Sequence, residues 1–366
     1  MRSEHRRTIV DTRTKSNEIS AENFNIKAAR EVLRSIELGD ETRERVLQLQ
    51  EEKCRVMDWL RDQRTKINRG EKIELYEENS DCFAVEYRDD AFFAHDGEQE
   101  FTLTLGEMLT DASWGINYDL DTDSVPIDIA KEYILSRARK TLRELLNKQL
   151  VLIELDVNKD EGQQKSFQSV HKRQTEGKEL IARDKGFVAE EMTLNLMKKL
   201  IIDHGLPIDI EEADVYDDVV NKIDYVITRK GYDRGIEVDA NDDSSVDQVG
   251  IQFTLMFRKA SMLGKRDVVS KALKKGITGE LRDVKDLALV NVHPAYIKRA
   301  VNKWKKSRGP GGPDSHLEKA AKVDLVQKML QGLFSEKEID EIVSNIFDVD
   351  RRSIKIRKTY LSGRVS

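Results

Sequence analysis

Three polar side chains in the middle of the chain stand where apolar ones are expected: Glu190, Asp224 and Gln252. At 100° per residue, Glu190 falls on the helical arc of Leu194, Met197 and Ile201 within FVAEEMTLNLMKKLIIDH. Asp224 interrupts the apolar run Ile223, Tyr225, Val226, Ile227, and Gln252 interrupts Ile251 and Phe253. An unpaired buried carboxylate is costly, so residues placed this way have partners or bind a metal. Either the three converge on one cation, or each is satisfied singly, as Asp224 would be by Lys222.

The elements that must position them follow from the pattern. A helix is expected over 187–204, then the acidic segment EEADVYDDVVN. Three β-branched runs of strand length come next: KIDYVI (222–227), RGIEVDA (234–240) and VGIQFTL (249–255). A basic helix over about 258–275 and the buried strand LALVNV complete an α/β unit. A Glu on a helix, an Asp in a strand, then a polar-x-polar strand leading into a helix resembles the PD-(D/E)XK nuclease superfamily. The resemblance covers about 186–293, roughly a third of the chain. It implies a restriction-endonuclease-like mixed sheet flanked by helices, with Glu190, Asp224 and Gln252 as metal ligands. Oxygen donors of this kind suit Mg²⁺ or Mn²⁺, which stabilises charge on a phosphate and lowers the pKa of an attacking water.

The family places a Lys two residues after the third ligand, and here that position is Thr254. The alternative third motif, Glu237-Val238-Asp239, has Asp in the same place. Two lysines are candidate substitutes: Lys222, expected on the strand face of Asp224, and Lys259, entering the next helix. The catalytic set implied is therefore Asp224 and Gln252 with Lys222 or Lys259. Glu237 and Asp239 offer either a second metal site or a charged strand edge that discourages aggregation, and the edge reading is preferred.

At 366 residues, the chain has room for about two domains. The net charge of −6 conceals an asymmetry. The stretch 70–100 is strongly acidic, whereas 295–313 and 351–366 contain Lys and Arg but no acid. The basic C-terminal third suits phosphate contacts, and suits a solvated helix equally. Cys54 and Cys82 form no CxxC pair, so neither a disulfide framework nor a zinc knuckle is indicated. The start, MRSEHRRT, lacks the apolar core of a signal peptide, and no run has the ~18 apolar residues of a membrane span. A cytoplasmic protein without membrane contact is expected.

In chain order, 1–22 reads as a disordered tail. The next unit, 23–125, reads as a helical hairpin, with helices over 26–38 and 41–68, plus a small antiparallel sheet from FAVEY, AFFAH and EFTLTL. Asp89-Asp90 and Asp96-Gly97 are its turns. The segment GEMLTDASWGINYDL gathers aromatics around two glycines. An exposed Trp114-Gly115 loop would be a recognition site; a buried one, the reading preferred, locks the sheet to the next helix. Pro126 opens a long amphipathic helix to about 155, and 126–185 is expected to be a helical arm or a homodimerisation surface. The nuclease-like unit is placed at 186–300 and a basic helical extension at 301–366. The RGPGGP loop (308–313) suits close approach to a phosphate or a plain interdomain turn, and the turn is preferred. His293 is read as structural.

The expected architecture is thus α+β or α/β: a helical and small-sheet N-terminal region followed by a mixed sheet between helices. Three functions compete. They are a metal-dependent nuclease acting on DNA or RNA, a nuclease-fold module that binds nucleic acid without cleaving it, and a helical interaction scaffold.

Overall fold

The computed structural model describes residues 38–74, 81–176, 185–230, 248–255, 259–277, 284, 286–348 and 360–362. The 1–22 tail, most of the 26–38 helix, the 234–240 strand with Glu237 and Asp239, most of 351–366 and the side chain of Lys259 lie outside the described residues.

The N-terminal unit starts with α1 (Asp40–Asn68), stopped where Gly70 takes a positive φ of 71°. Strands β1 (Asp81–Arg88), β2 (Ala91–His95) and β3 (Glu100–Leu103) form the expected antiparallel meander. The aromatic segment then holds more regular structure than its composition suggests. It forms α2 (Leu105–Thr110), capped by a reciprocal Thr104–Glu107 box, a 3₁₀ turn (Asp111–Trp114) and a fourth strand, β4 (Ile116–Leu120). Because β4 pairs parallel to β1, the sheet is mixed, in the order β3-β2-β1-β4, and not purely antiparallel. The strand was hidden by its burial: only Asp119 and its neighbours break a pattern that has no alternation to read.

Helix α3 (Ile127–Val157) opens at Pro126 as expected. Its first half buries Ala130, Tyr133, Ile134 and Ala138 under the small sheet. Its second half pairs antiparallel with α1, where Lys53 Nζ donates to Gln149 Oε1 (3.2 Å) and Gln149 Nε2 to the Val46 carbonyl (3.1 Å). The face of α1 that carries Val46, Lys53 and Leu60 is therefore core, with Lys53 hydrogen-bonded inside it. Helix α4 (Glu161–Glu176) packs Phe167 and Val170 against Val151, Val215 and Val219.

The second unit is built on α5 (Lys185–His204) and a five-stranded sheet in the order β5-β6-β7-β8-β9. Strand β5 (Ile208–Glu212) runs into the start of the acidic segment, its Ile208 and Ile210 facing in and Asp209 and Glu211 out. Strands β6 (Tyr225–Arg229) and β7 (Gln248–Thr254) are adjacent and antiparallel, as the sequence predicts, with Tyr225 opposite Ile251. The first of these starts later than expected: Lys222 stands at φ 60°, capping a π-helical turn (Asp217–Asn221), so it lies outside the strand and off the face of Asp224. Helix α6 (Lys259–Lys275) connects β7 to its parallel neighbour β8 (Asp286–Asn291). Helices cover both faces, α5 against Tyr225, Ile251 and Phe253, and α6 against Val226, Leu287 and Leu289.

The C-terminal helices are α7 (Pro294–Ser307), the single turn α8 (Gly312–Ser315), α9 (Lys319–Leu330) and α10 (Glu336–Phe347). They are not an appendage, because Leu325, Met329 and Val343 complete the core above α5. The purely helical reading of 301–366 is also corrected by β9 (Tyr360–Ser362), which adds antiparallel to β8. No helix among the described residues is long and apolar enough to cross a membrane.

The two units meet at a buried ionic joint. Lys199 Nζ lies 2.7 Å from Asp314 Oδ2 and 3.3 Å from Asp111 Oδ1. Asp111 Oδ2 accepts from the Tyr118 hydroxyl and the Gly311 N–H, both at 2.6 Å. Trp114 Nε1 donates to Asp314 Oδ1 (3.0 Å), and its ring lies 6.1 Å from that of Trp304. The RGPGGP loop thus serves as a joint, in line with the turn reading. A Cβ on Gly312 would fall 2.3 Å from the Trp114 ring, so only glycine fits. Burial pushes the Asp111 carboxyl up to about 6 although Lys199 and Tyr118 pull it down. Burial also opposes the Lys199 charge, but Asp314, Asp111 and Glu107 outweigh it and hold the ammonium above its ordinary range. Lys199→Met should leave two uncompensated buried carboxylates and cost about 3–5 kcal/mol in urea unfolding. A loss below about 1 kcal/mol would show that the joint is not what holds the units together.

Candidate functional site

Asp224 is positioned by backbone on three sides. Its N–H donates to the Ile251 carbonyl (2.7 Å), its own carbonyl accepts from Ala213 N–H (2.9 Å), and the next residue begins β6. Its Oδ2 accepts from Gln252 Nε2 (2.7 Å) and from the Phe253 N–H (2.5 Å). Two of the three residues singled out in the sequence are therefore in direct contact. Gln252 gives its nitrogen to Asp224, and its amide oxygen is the atom a hard cation takes.

Glu190, in the first turns of α5, reaches the same place through its field. The Asp224 carboxyl is pushed well above its ordinary range by burial first, then by the charges of Glu190 and Asp218. The Phe253 hydrogen bond and the charge of Lys265 pull it back only in part. Asp218 and Lys265 were not singled out in the sequence. Lys265 lies four residues before Val269, the fully buried residue of α6, so helical spacing alone puts it on the sheet-facing side. Asp218 was one acid among several in EEADVYDDVVN and carried no such signal.

The expected lysines fall differently. Lys222 Nζ donates to the Val219 carbonyl (2.6 Å), and burial lowers its ammonium below the ordinary range, with Asp218 opposing and Lys265 reinforcing the shift. Asp224 also draws on the Lys222 charge, so Lys222 does belong to the neighbourhood, although from a turn and not from the strand. Thr254, at the family's Lys position, is buried at the end of β7 opposite Asn291.

A second carboxyl pair adjoins the first. Burial and the neighbouring Glu212 raise the Glu191 carboxyl, against Lys140 and Lys198. Arg143 Nε lies 3.1 Å from Glu212 Oε2, and Asn195 Nδ2 donates to Glu191 Oε1 (3.4 Å). Burial raises the Tyr225 hydroxyl well above its ordinary range, and the charges of Glu190, Asp224, Glu191 and Glu212 add to the rise in that order. Two carboxylates and an amide oxygen are a donor set that fits a hard divalent cation.

Elsewhere, Glu86, His95 and Glu100 bring ligand atoms within 4.8 Å of one another on the outer face of the small sheet. Arg88 bridges both carboxylates there, so the group is already charge-compensated. His293 caps α7, its Nδ1 accepting from Ala295 N–H (3.2 Å), in keeping with the structural reading. Burial raises the Cys82 thiol to about 11, which leaves it unreactive.

No protein family, curated protein or solved structure matches the chain. The site has to be read from its own chemistry.

That chemistry has a pH signature. A carboxyl raised on folding favours the folded state below its unfolded pKa, near 3.8, and this contribution is lost as pH rises through the raised value. Asp224→Asn, which keeps the shape and drops the charge, should therefore stabilise the metal-free protein at pH 7–8. The gain should shrink towards pH 4. Thermal melts with EDTA at several pH values would read it, and a variant less stable than wild type at pH 8 would contradict it.

Proposed function

We propose that the chain is a divalent-metal-dependent nuclease of the PD-(D/E)XK, restriction-endonuclease-like type, acting on DNA or RNA. The observation that supports this most is the Asp224 carboxyl. It is clamped by Gln252 and the Phe253 N–H, and shares its burial with the charge of Glu190. The adjacency of β6 and β7, with helices on both faces, supports the fold reading. Glu190, Asp224 and the Gln252 amide oxygen would hold Mg²⁺ or Mn²⁺, which when bound supplies a Lewis acid and a more acidic water.

The protein's own residues supply the rest. Lys265, the cation beside Asp224, takes the role that Thr254 cannot, holding the attacking water or offsetting charge on the phosphate. Lys222 is the second candidate, its lowered pKa bringing it nearer to proton transfer at neutral pH. Nucleic acid is held by the solvent face of α7, where Lys298, Lys303, Lys305 and Lys306 are exposed. Arg299 is less available, paired at 2.6 Å with Glu318.

A second reading, a nucleic-acid-binding module that does not cleave, is favoured by the buried Thr254 and by the hydrogen bond tying Lys222 to Val219. Incubating single- and double-stranded DNA and RNA with Mg²⁺ or Mn²⁺ separates the two. Wild type should cleave only with metal. Asp224→Ala should abolish cleavage, and Lys265→Ala should slow it about 10²–10³-fold. Charge reversal at Lys303, Lys305 and Lys306 should weaken binding to all sequences alike and flatten the salt dependence by about one unit of slope per lost contact. Salt-sensitive binding without cleavage selects the second reading, and no binding at low salt rejects both.

A further inference from the structure

Helix α7 carries an ordered stack of ring and guanidinium groups beside its exposed lysines. The His293 and Tyr296 rings meet edge to face, with centroids 6.3 Å apart at 83°. The Arg299 guanidinium lies over the Tyr296 ring, 4.8 Å from its centroid. Glu318, the N-cap residue of α9, accepts from Arg299 Nε at 2.6 Å. The guanidinium thus gives one face to Tyr296 and one edge to Glu318, yet the Arg299 side chain stays 49% exposed. An exposed ion pair adds little to stability. Its consequence here is geometric: it holds a planar cation against a ring while leaving much of that cation in solvent.

Helical spacing extends the stack into a strip. Tyr296, Arg299, Lys303 and Lys306 follow one another at intervals of three, four and three residues, so they lie along one flank of α7 over about 15 Å. Lys303 and Lys306 are exposed, and α7 contains no acid. The ring end of this strip lies towards the candidate site. Strand β6 runs antiparallel to β7, so Asp224, just before β6, stands at the carboxyl end of β7 and its parallel neighbour β8. The chain leaves β8 at that same end. His293 is four residues beyond Leu289, the partner of Gln252, and therefore at most about 14 Å further along.

Rings and guanidinium planes are the surfaces on which unpaired bases stack, and cations in line with them follow the backbone. A duplex keeps its bases stacked on one another and offers such a plane nothing but an end. We propose that the Tyr296–Arg299 stack is a base-stacking platform, and that the substrate class of the Asp224 site is single-stranded nucleic acid. One base lies on the Arg299 plane, and Lys303 and Lys306 hold the phosphates that follow it. This rests on the nucleic-acid reading above and adds to it the strandedness of the ligand.

The test measures fluorescence anisotropy of labelled single-stranded and duplex oligonucleotides with full-length protein, in EDTA so that nothing is cleaved. A strand carrying 2-aminopurine reports stacking directly through quenching. Wild type should prefer the single strand and quench the probe. Tyr296→Ala should lose about 5- to 100-fold in single-strand affinity, the worth of one stacked base, along with the quenching. Its duplex affinity should not change, and Tyr296→Phe, which keeps the ring, should bind as wild type does. Arg299→Ala, at an exposed position, carries the same expectation should Tyr296→Ala melt early. A wild type that prefers duplex, or variants that keep single-strand affinity or lose both affinities alike, would overturn the platform while leaving the lysine contacts of α7 standing. Wild type that binds neither form at low salt would reject the nucleic-acid reading and the platform together.

Discussion

Lys199 holds its ammonium inside the protein between Asp111 and Asp314, and the arrangement of both units follows from the need to satisfy that charge. Removing an ammonium and two carboxylates from water costs several kcal/mol per ion, which mutual attraction repays only when the geometry is good and the remaining hydrogen bonds are made. Here they are made by three segments far apart in the chain. The 3₁₀ turn brings Asp111, the α5 helix brings Lys199, and the 311–315 loop brings the Gly311 backbone and Asp314. Any two without the third leave a buried charge short of partners. The joint therefore selects one arrangement of the units more than it adds net stability.

Helix α5 is the element through which this constraint reaches the candidate site. Nine residues separate Glu190 from Lys199, which at 100° per residue puts them on opposite sides of the helix. One side is fixed by the joint; the other presents Glu190 towards Asp224. Between them Met192, Leu194, Leu196 and Met197 are all buried, so α5 is enclosed over these turns. A helix held this way can neither rotate nor slide without exposing the joint or the core. Gly106 enforces the same closeness from the small-sheet unit, since a Cβ there would meet the α5 backbone at Lys199, 2.9 Å away.

The legible parts of the sequence were those with a strong period or a strong contrast. The 187–204 helix, the hairpin turns at Asp89-Asp90 and Asp96-Gly97, and the Pro126 helix start all follow from local chemistry that tertiary contacts did not override. Asp224 and Gln252 were found because a polar residue inside an apolar run needs a reason, and their hydrogen bond is that reason. Three strands escaped, β4, β5 and β9, the first two for opposite causes. Buried β4 has no alternation, while in the five residues of β5 an alternating pattern is masked by the acidic stretch that follows. The position of Lys222 was misjudged because nothing in KIDYVI announces a left-handed residue at its start. Lys265 was within reach of helical geometry, but only once Val269 was known to be the buried residue of α6. The joint was beyond reach, since Asp111, Lys199 and Asp314 meet across up to two hundred residues with no shared motif.

The joint and the Asp224 end of the sheet hold their buried carboxyls in different ways. At the joint every carboxylate has its cation in contact, and the chemistry is closed. At the end of β6 and β7, Asp224 has two hydrogen bonds, yet its carboxyl is still driven up by burial, Glu190 and Asp218, with Lys265 only partly offsetting them. The hydroxyl of the next residue, Tyr225, has no hydrogen-bond partner among the described residues, and the Glu191 carboxyl is raised as well. Burial raises carboxyls at both places, Asp111 to about 6, although there Lys199 lies in contact and pulls the carboxyl down. At Asp224 the causes that follow burial are the charges of Glu190 and Asp218, whereas at Asp111 the cause that follows burial is the Lys199 cation.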